Sequence, residues 1–373
     1  MKIFIVSSLS TSLRNFRGPL ILALRDGGHE VHVAAPGLAE DRPTQLWLIE
    51  HGIEPHDVSM SRAGLNPFED LKMALALFQM MRRLRVEMFL GYTIKPVIWG
   101  MFAARLARVP YRVALITGLG YAFTGQARGK RAIIQRIARG LYAKALRQAH
   151  LIFFQNHDDP AEMARQGMLP ENVPVKVVNG SGVDLAQFMH ISLTPGPPQF
   201  LLIARLLGDK GIREYAQAAA ALVPHWPGVG FHLVGGLDAN PDGITIAEVE
   251  EWTNAGHIIW HGAVDDVKPA LAATHVYVLP SYREGTPRTV LEAMATGRAI
   301  ITTDAPGCRE TVQDGVNGFL VPVRDVDALV AAMNKFLHDP ELVEQMGKQS
   351  RNIAMEKYDV RKVNTSMINE MAL

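Results

Sequence analysis

The chain has 373 residues, 48% hydrophobic and 20% charged, which excludes a disordered or fibrous protein and is too long for one ordinary core, so two domains are expected. The net charge of +1 hides an asymmetry, because residues 1–184 carry 23 Lys/Arg against 15 Asp/Glu and residues 185–373 carry 15 against 22. Cys308 is the only cysteine, which excludes an intrachain disulfide and suits a reducing compartment.

The opening Met1-Lys2-Ile3-Phe4-Ile5-Val6 turns polar at Ser7 without a long apolar run, so it reads as a first strand and not as a signal peptide. Further strands are expected at Val31–Ala34, Met88–Leu90, Val113–Ile116, Leu151–Phe154 and Val175–Val178, with helices between them such as Pro19–Arg25 and Leu71–Leu84. This alternation predicts a parallel sheet covered on both faces. The longest candidate membrane segment, Met73–Met81, runs into Arg82-Arg83 and is too short to span a bilayer. The turn after the first strand lacks G-x-G-x-x-G, and Gly118-Leu119-Gly120-Tyr121-Ala122-Phe123 has Phe in place of the third glycine. Both observations argue against a nicotinamide enzyme.

Between Ala127 and His150 lie Arg128, Lys130, Arg131, Arg136, Arg139, Lys144 and Arg147 with no acidic residue, and Ile133, Ile134, Ile137, Leu141 and Leu146 recur at helical spacing. Two readings are open. The helix packs its apolar side inward and solvates its charges, or it rests a basic face on anionic lipid or a lipid diphosphate. No aromatic interleaving supports nucleic acid. The Pro/Gly-rich Leu193–Pro198 then reads as a linker. After it the pattern restarts, with strands expected at Phe200–Ile203, Gly230–Val234, Ile258–Trp260, Val276–Leu279 and Ala299–Thr302, and helices at Ile212–Leu222 and Thr286–Thr296. Two doubly wound domains are therefore expected, with ligands at the carboxyl ends of their strands facing a central cleft.

Two turns of the second half carry chemistry. Ala204-Arg205-Leu206-Leu207-Gly208-Asp209-Lys210-Gly211 follows one strand, and Arg205 and Lys210 offer a planar fork and a mobile point charge for phosphate. The second turn, Ser281-Tyr282-Arg283-Glu284-Gly285-Thr286-Pro287-Arg288-Thr289-Val290-Leu291-Glu292, follows the strand Val276–Leu279. Thr286 suits a helix N-cap, Pro287 its first turn and Gly297 its C-terminal cap. Glu284 then sits in the turn, and Glu292 lies one and a half turns into the helix. Helix-start amides attract phosphate, so a carboxylate in the turn makes sense if it grips sugar hydroxyls. Plainer readings are that Arg205 and Lys210 are solvated loop charges and that Arg288 simply pairs with Glu292 four residues on.

Other acids read as structural. Asp325-Val326-Asp327 precedes a helical run, Ala328–Leu337, and is expected to cap it and not to bind metal. Asp158-Asp159 and Asp265-Asp266 read as loop or helix-start acids, and Cys308 as inert. Glu284 and Glu292 belong to one turn and helix, whereas a glycosidase pair flanks one bond from two sides.

Five segments of the second half, A-R-L-L-G-D-K-G (204–211), L-V-G-G (233–236), W-H-G-A-V (260–264), P-S-Y-R-E-G-T-P-R-T-V-L-E-A-M-A-T-G (280–297) and D-G-V-N-G-F-L-V-P (314–322), resemble the retaining glycosyltransferases of family 4. The resemblance implies the two-domain GT-B fold, an acceptor-binding Rossmann-like domain over 1–184 joined by 358–373, and a nucleotide-sugar-binding domain over 185–357. A C-terminal helix, Val360–Met371, crosses back to the first. It also implies that Arg205 and Lys210 take the donor diphosphate, Glu284 the sugar and Glu292 the ribose. Gly285, Thr286, Pro287, Thr289, Gly235, Gly262 and Val264 complete the donor site, with the base near Gly262.

In the first half, F-R-G-P-L (16–20), S-R-A-G-L-N-P-F (61–68) and G-L-G-Y-A-F (118–123) resemble bacterial enzymes that extend polyprenyl-diphosphate-linked sugars, some of which add N-acetylgalactosamine. The implied acceptor and lipid side comprises Arg14, Asn15, Arg17, Arg62, Lys95, Thr117, Gly118, Tyr121, Arg128, Lys130 and Arg131. Many family members place a histidine near the donor sugar, whereas this chain has Thr117-Gly118-Leu119-Gly120-Tyr121 in the comparable region. The implied activity is metal-independent, cofactor-free transfer of an N-acetylhexosamine, GalNAc from UDP-GalNAc, to an undecaprenyl-diphosphate-linked saccharide. The enzyme would be cytoplasmic, peripherally bound to the inner face of the cytoplasmic membrane. Two rivals are open at this stage: a GT-B epimerase or phosphorylase, and a donor-binding scaffold without catalysis.

Overall fold

A computed structural model describes residues 1–60, 66–119, 130–240 and 242–373. It divides into two units, Met1–Ser181 with Val363–Leu373, and Gly182–Lys362.

The first unit holds a parallel seven-stranded sheet, β1 (Lys2–Val6), β2 (Glu30–Ala35), β3 (Glu54–Asp57), β4 (Met88–Tyr92), β5 (Tyr111–Ile116), β6 (Leu151–Phe154) and β7 (Val175–Val177). The strands lie in the order β3-β2-β1-β4-β5-β6-β7. Alternation along β1 sends Ile3 and Ile5 to one apolar layer and Phe4 and Val6 to the other. Both layers need helix cover, and each fully buried Ile or Phe contributes about 1.5–3 kcal/mol. Strand β3 was not foreseen, because Glu-Pro-His-Asp has low strand propensity, yet Pro55 is tolerated there since β3 is an edge. The helix Val360–Glu370 places Met367 and Met371 in the layer beneath β1 and β6, and Lys176 pairs with Glu370 at 2.9 Å.

The second unit repeats the plan with six parallel strands, β8 (Gln199–Ile203), β9 (Gly230–Val234), β10 (Ile259–Trp260), β11 (Val276–Leu279), β12 (Ala299–Thr303) and β13 (Gly318–Val321). Their order is β10-β9-β8-β11-β12-β13. In each sheet the winding reverses beside the first strand, between β1 and β4 and between β8 and β11. Those are the topological switch points where such sheets bind ligands.

Three expectations need correction. Leu193–Pro198 is not the linker. Residues 182–193 already pack on the second unit through Val183 N–H to Tyr358 O, Ile191 N–H to Thr296 O and buried Phe188. His275 and Thr194 O are in turn hydrogen-bonded at 2.8 Å. The basic helix runs Lys130–Leu146, and it does not turn Ile133 and Ile137 inward. Ala138, Tyr142, Ala145 and Leu146 are buried, whereas Ile133 and Ile137 are exposed. Finally, the helix expected from Thr286 begins at Arg288 with Pro287 as its N-cap and no side-chain cap. Glu292 is therefore little more than one turn in. Among the described residues no helix is long and apolar enough to cross a membrane.

Candidate active site

The turns singled out in the sequence leave the carboxyl ends of β8 and β11, the two strands flanking the second switch point. Close backbone approach joins them. Gly211, at φ 70°, lies so near Pro280 that an added Cβ would sit 2.2 Å from its carbonyl oxygen. Only glycine fits, for sterics and for backbone sign. Tyr282 N–H then donates to Asp209 O at 2.9 Å, and Lys210 Nζ donates to Glu284 Oε1 at 2.5 Å. The turn is supported from β12 in the same way. Glu284 N–H donates to Pro306 O, and a Cβ on Gly307 would meet Glu284 O at 2.2 Å.

Lys210 and Glu284 are 16% and 17% exposed, which rejects the solvated-charge reading for Lys210. Burial works to lower the Lys210 pKa, but the Glu284 and Asp209 carboxylates overcome it and hold the ammonium above its ordinary value. Asp209 was missed in the sequence. Burial raises its carboxyl pKa, Lys210 lowers it, and Glu284 and Asp242 raise it further. Asp209 Oδ1 is buried and accepts no hydrogen bond, while its backbone N–H donates to Asp242 Oδ2. Arg205 differs from Lys210. Its side chain is 55% exposed and pairs with Asp238 at 2.8 Å, so a residue that the sequence reading passed over orients it.

Glu292 is buried on the helix Arg288–Ala295, and Arg288 Nε donates to its Oε1 at 2.8 Å. The plain pairing is thus present, but the environment is not that of a surface pair. Burial raises the Glu292 pKa, Arg288 lowers it by charge and by hydrogen bond, Asp266 raises it again, and the net direction is upward. Thr289 turns its hydroxyl to Tyr277 OH at 2.6 Å, and Tyr277 OH lies 3.0 Å from Ile203 O. Thr289 therefore braces the switch point. Gly262, at φ 68°, accepts from Gly235 N–H at 2.8 Å, and Val264 nearby is exposed. Gly285 and Thr286 lie in the turn between β11 and the helix.

One further group was not read from the sequence. Ser281 is wholly buried at the end of β11, with a hydroxyl that makes no hydrogen bond. Cys308, buried against Ser281 O, has its thiol pushed up to about 12 by burial and then by Glu284, which makes it inert. Asp325 caps its helix through Ala328 N–H at 2.9 Å.

The first switch point is built from hydroxyls. Ser12 Oγ lies 2.7 Å from Ser7 Oγ and 2.9 Å from Tyr92 OH, and Thr93 Oγ1 donates to Ser8 Oγ at 2.8 Å. Thr93 has φ 71° and ψ 164°, a glycine-like region that costs a β-branched residue about 1–3 kcal/mol. Of the residues expected on the acceptor side, Arg14 and Asn15 lie on the short helix after β1, and Thr117 and Gly118 follow β5 at the same sheet edge. Arg17 is only 2% exposed, with its guanidinium 5.6 Å from the Tyr92 ring centroid, so it cannot rest on a lipid surface. Lys95 is likewise internal, paired at 2.8 Å with buried Asp70. Lys130 and Arg131 begin the basic helix. Arg62, Tyr121 and Arg128 lie outside the described residues.

Comparison with known proteins places this geometry. Residues 187–353 match the glycosyl transferases group 1 family and residues 6–156 the glycosyl transferase 4-like family. A Campylobacter jejuni N,N'-diacetylbacillosaminyl-diphospho-undecaprenol alpha-1,3-N-acetylgalactosaminyltransferase is 32% identical over 96% of this chain and 95% of its own. The Escherichia coli UDP-Gal:alpha-D-GlcNAc-diphosphoundecaprenol alpha-1,3-galactosyltransferase is 25% identical over 80% of this chain and 78% of its own. Among solved structures, Anabaena HepE in complex with UDP and glucose superposes with a TM-score of 0.80, at 19% identity over 100% of this chain and 99% of that one. A sucrose-phosphate synthase from Thermosynechococcus elongatus also gives 0.80, at 18% identity over 99% and 98%. The fold is GT-B, with two Rossmann-like domains, and the chain belongs to the group 1, or family 4, glycosyltransferases.

Proposed function

We propose that this glycosyltransferase moves an N-acetylhexosamine, GalNAc from UDP-GalNAc, onto an undecaprenyl-diphosphate-linked saccharide, with retention of configuration and without a metal ion. The observation that carries the donor half is the Lys210–Glu284 pair at the second switch point, joined at 2.5 Å across 74 residues of sequence. A donor diphosphate offers Lys210 a more highly charged partner than one carboxylate. Its arrival turns the ammonium toward phosphate and leaves Glu284 to accept hydrogen bonds from the sugar. Arg205, already oriented by Asp238, adds a second cation to the leaving diphosphate. The charge that grows there as the glycosidic bond breaks meets preplaced cations, with little reorganisation. On the front-face path that the family resemblance implies, the departing diphosphate takes the proton of the acceptor hydroxyl. Glu292 takes the ribose hydroxyls while Arg288 holds one of its oxygens.

The acceptor half rests on the Campylobacter jejuni and Escherichia coli relatives, whose acceptors are undecaprenyl-diphosphate-linked, and on the surface of the first unit. Phe68, Leu71 and Leu75 stand exposed at i, i+3 and i+7 along one face of the helix Pro67–Leu84, Phe68 at 84%. Ile133 and Ile137 are exposed beside Arg136 on the basic helix. Apolar side chains among basic ones suit the interface of an anionic bilayer, and this supports peripheral residence at the cytoplasmic face of the membrane. The test is a screen of nucleotide sugars scored by nucleotide release, with a short polyprenyl-diphosphate saccharide as acceptor and chelator throughout. UDP-GalNAc is expected to give the fastest release and an α-linked product by NMR. Preference for another donor, a β-linked product, or activity abolished by chelator overturns the corresponding part.

A further inference from the structure

Outside the donor chemistry, the outer edge of the first sheet carries a cluster with a sequence signature of its own. Glu30-Val31-His32 on β2 and Glu54-Pro55-His56 on β3 are two Glu-x-His units. A strand repeats every two residues, so each unit puts its Glu and His on one face. The parallel register pairs His32 with Glu54 and Ala34 with His56, which brings His32, Glu54 and His56 together on one face. His32 Nδ1 lies 3.2 Å from Glu54 Oε2 and 3.3 Å from His56 Nε2, and His56 Nε2 lies 3.8 Å from Glu54 Oε1.

These separations suit a common central ion. Metal–nitrogen and metal–oxygen bonds of about 2.0–2.2 Å in a tetrahedron leave neighbouring ligand atoms roughly 3.3–3.6 Å apart. The tautomer is set as a metal site needs. His32 Nε2 faces Glu30 Oε1 at 3.0 Å, and Glu30 is held in turn by Lys2 Nζ at 2.9 Å. A carboxylate only accepts, so in the neutral ring the proton sits on Nε2 and Nδ1 turns its lone pair toward Glu54. Two acceptors then face each other across 3.2 Å, and His56 Nε2, 3.3 Å from Nδ1, either donates its proton to Nδ1 or turns a lone pair inward as the third ligand of a shared cation. Glu30 behind His32 is the carboxylate–histidine support that commonly orients a metal-bound imidazole. His32 and His56 are buried, whereas Glu54 is exposed and opens the site to solvent.

We infer that His32, Glu54 and His56 form a site for one divalent transition metal, Zn²⁺ by its two imidazoles and one carboxylate, with water completing the tetrahedron. The metal clasps the short, proline-containing edge strand β3 to β2, and it takes no part in sugar transfer. Imidazole and carboxylate together favour Zn²⁺ or Co²⁺ over Mg²⁺, which prefers an all-oxygen octahedron.

The test uses the intact, metal-stripped chain. Co²⁺ titration is expected to saturate at one ion per chain with the intense visible absorption of tetrahedral coordination, to be bleached by Zn²⁺ and to ignore Mg²⁺. Zn²⁺ is expected to raise the unfolding midpoint. Glu30→Gln, which leaves all three ligands in place, should weaken binding about ten- to a hundredfold. Glu54→Gln, an exposed change that spares the fold, and His56→Gln should abolish the tetrahedral spectrum. The inference is overturned by the absence of stoichiometric binding, as when His32 simply holds a second proton between Glu30 and Glu54. It is equally overturned by a spectrum that survives Glu54→Gln, which would place the ion elsewhere, for example at His232 and His261, whose ring nitrogens are 2.9 Å apart.

Discussion

The two switch points of this molecule share a winding and differ in chemistry. Between β8 and β11 the loops deliver charge: Lys210 against Glu284, Arg205 against Asp238, and Asp209 between them. Between β1 and β4 the same topology delivers neutral hydroxyls, Ser7, Ser8, Ser12, Tyr92 and Thr93, and the nearby cation Lys95 is neutralised inside by Asp70. Topology fixes where a ligand is met, and the loop residues fix what is met there. A charged pair suits a diphosphate whose charge grows during reaction. A hydroxyl network suits a saccharide, which is recognised by hydrogen bonds and gains no charge.

The largest expected break in this contrast is Lys210→Ala. Removing the buried cation should lower kcat roughly a hundred- to a thousandfold while circular dichroism stays that of the parent, and nucleotide release measures it. A loss below tenfold would move the developing charge elsewhere.

Next comes Glu292→Gln. Loss of a charge-assisted hydrogen bond worth about 1.5–3 kcal/mol should raise the donor KM about ten- to a hundredfold, with little change in the acceptor KM. The same variant has a pH signature. Burial raises the Glu292 pKa in the folded chain, so the folded state binds that proton more tightly than the unfolded one. The stability this contributes is present below the ordinary carboxylate pKa and is lost as pH climbs through the raised value. Thermal unfolding of the parent, taken relative to the Gln variant, should therefore decline with pH just above 4.5. A flat difference would mean that Arg288 cancels the burial.

A smaller effect is expected on the other side of the comparison. Thr93→Gly should relieve about 1–3 kcal/mol of backbone strain, less about 0.5–1 kcal/mol of added chain entropy, and so raise the melting temperature slightly. It should also raise the acceptor KM severalfold and leave the donor KM alone. The smallest kinetic effect belongs to Phe68→Ser, Leu71→Ser and Leu75→Ser together. Turnover on a short, water-soluble acceptor should not change, while sedimentation with anionic vesicles should fall severalfold.

The second unit was the more legible in sequence, for a physical reason. Strands β9 and β11 match their expected limits, because buried parallel strands are continuous apolar runs, and Gly211 and Gly297 mark the turns that only glycine allows. Strand β3 hid behind a proline and two charges. Asp209, Asp242 and Ser281 hid because their meaning comes from register: each is an ordinary loop or strand-end residue until β8 and β11 lie side by side. Arg17 and Lys95, which the resemblance puts on the acceptor side, are internal, and only packing shows Arg17 beside Tyr92 and Lys95 on Asp70. The start of the helix at Arg288 shifted because Thr286 does not supply the cap.

The most direct test of the charged switch point is an equilibrium titration of UDP and of UDP-GalNAc into the intact chain and two variants. Lys210→Ala is predicted to weaken both ligands at least tenfold. Glu284→Gln should weaken only the nucleotide sugar, since its carboxylate serves the sugar and not the diphosphate. UDP affinity unchanged by Lys210→Ala, or equal weakening of both ligands by Glu284→Gln, would contradict the assignment.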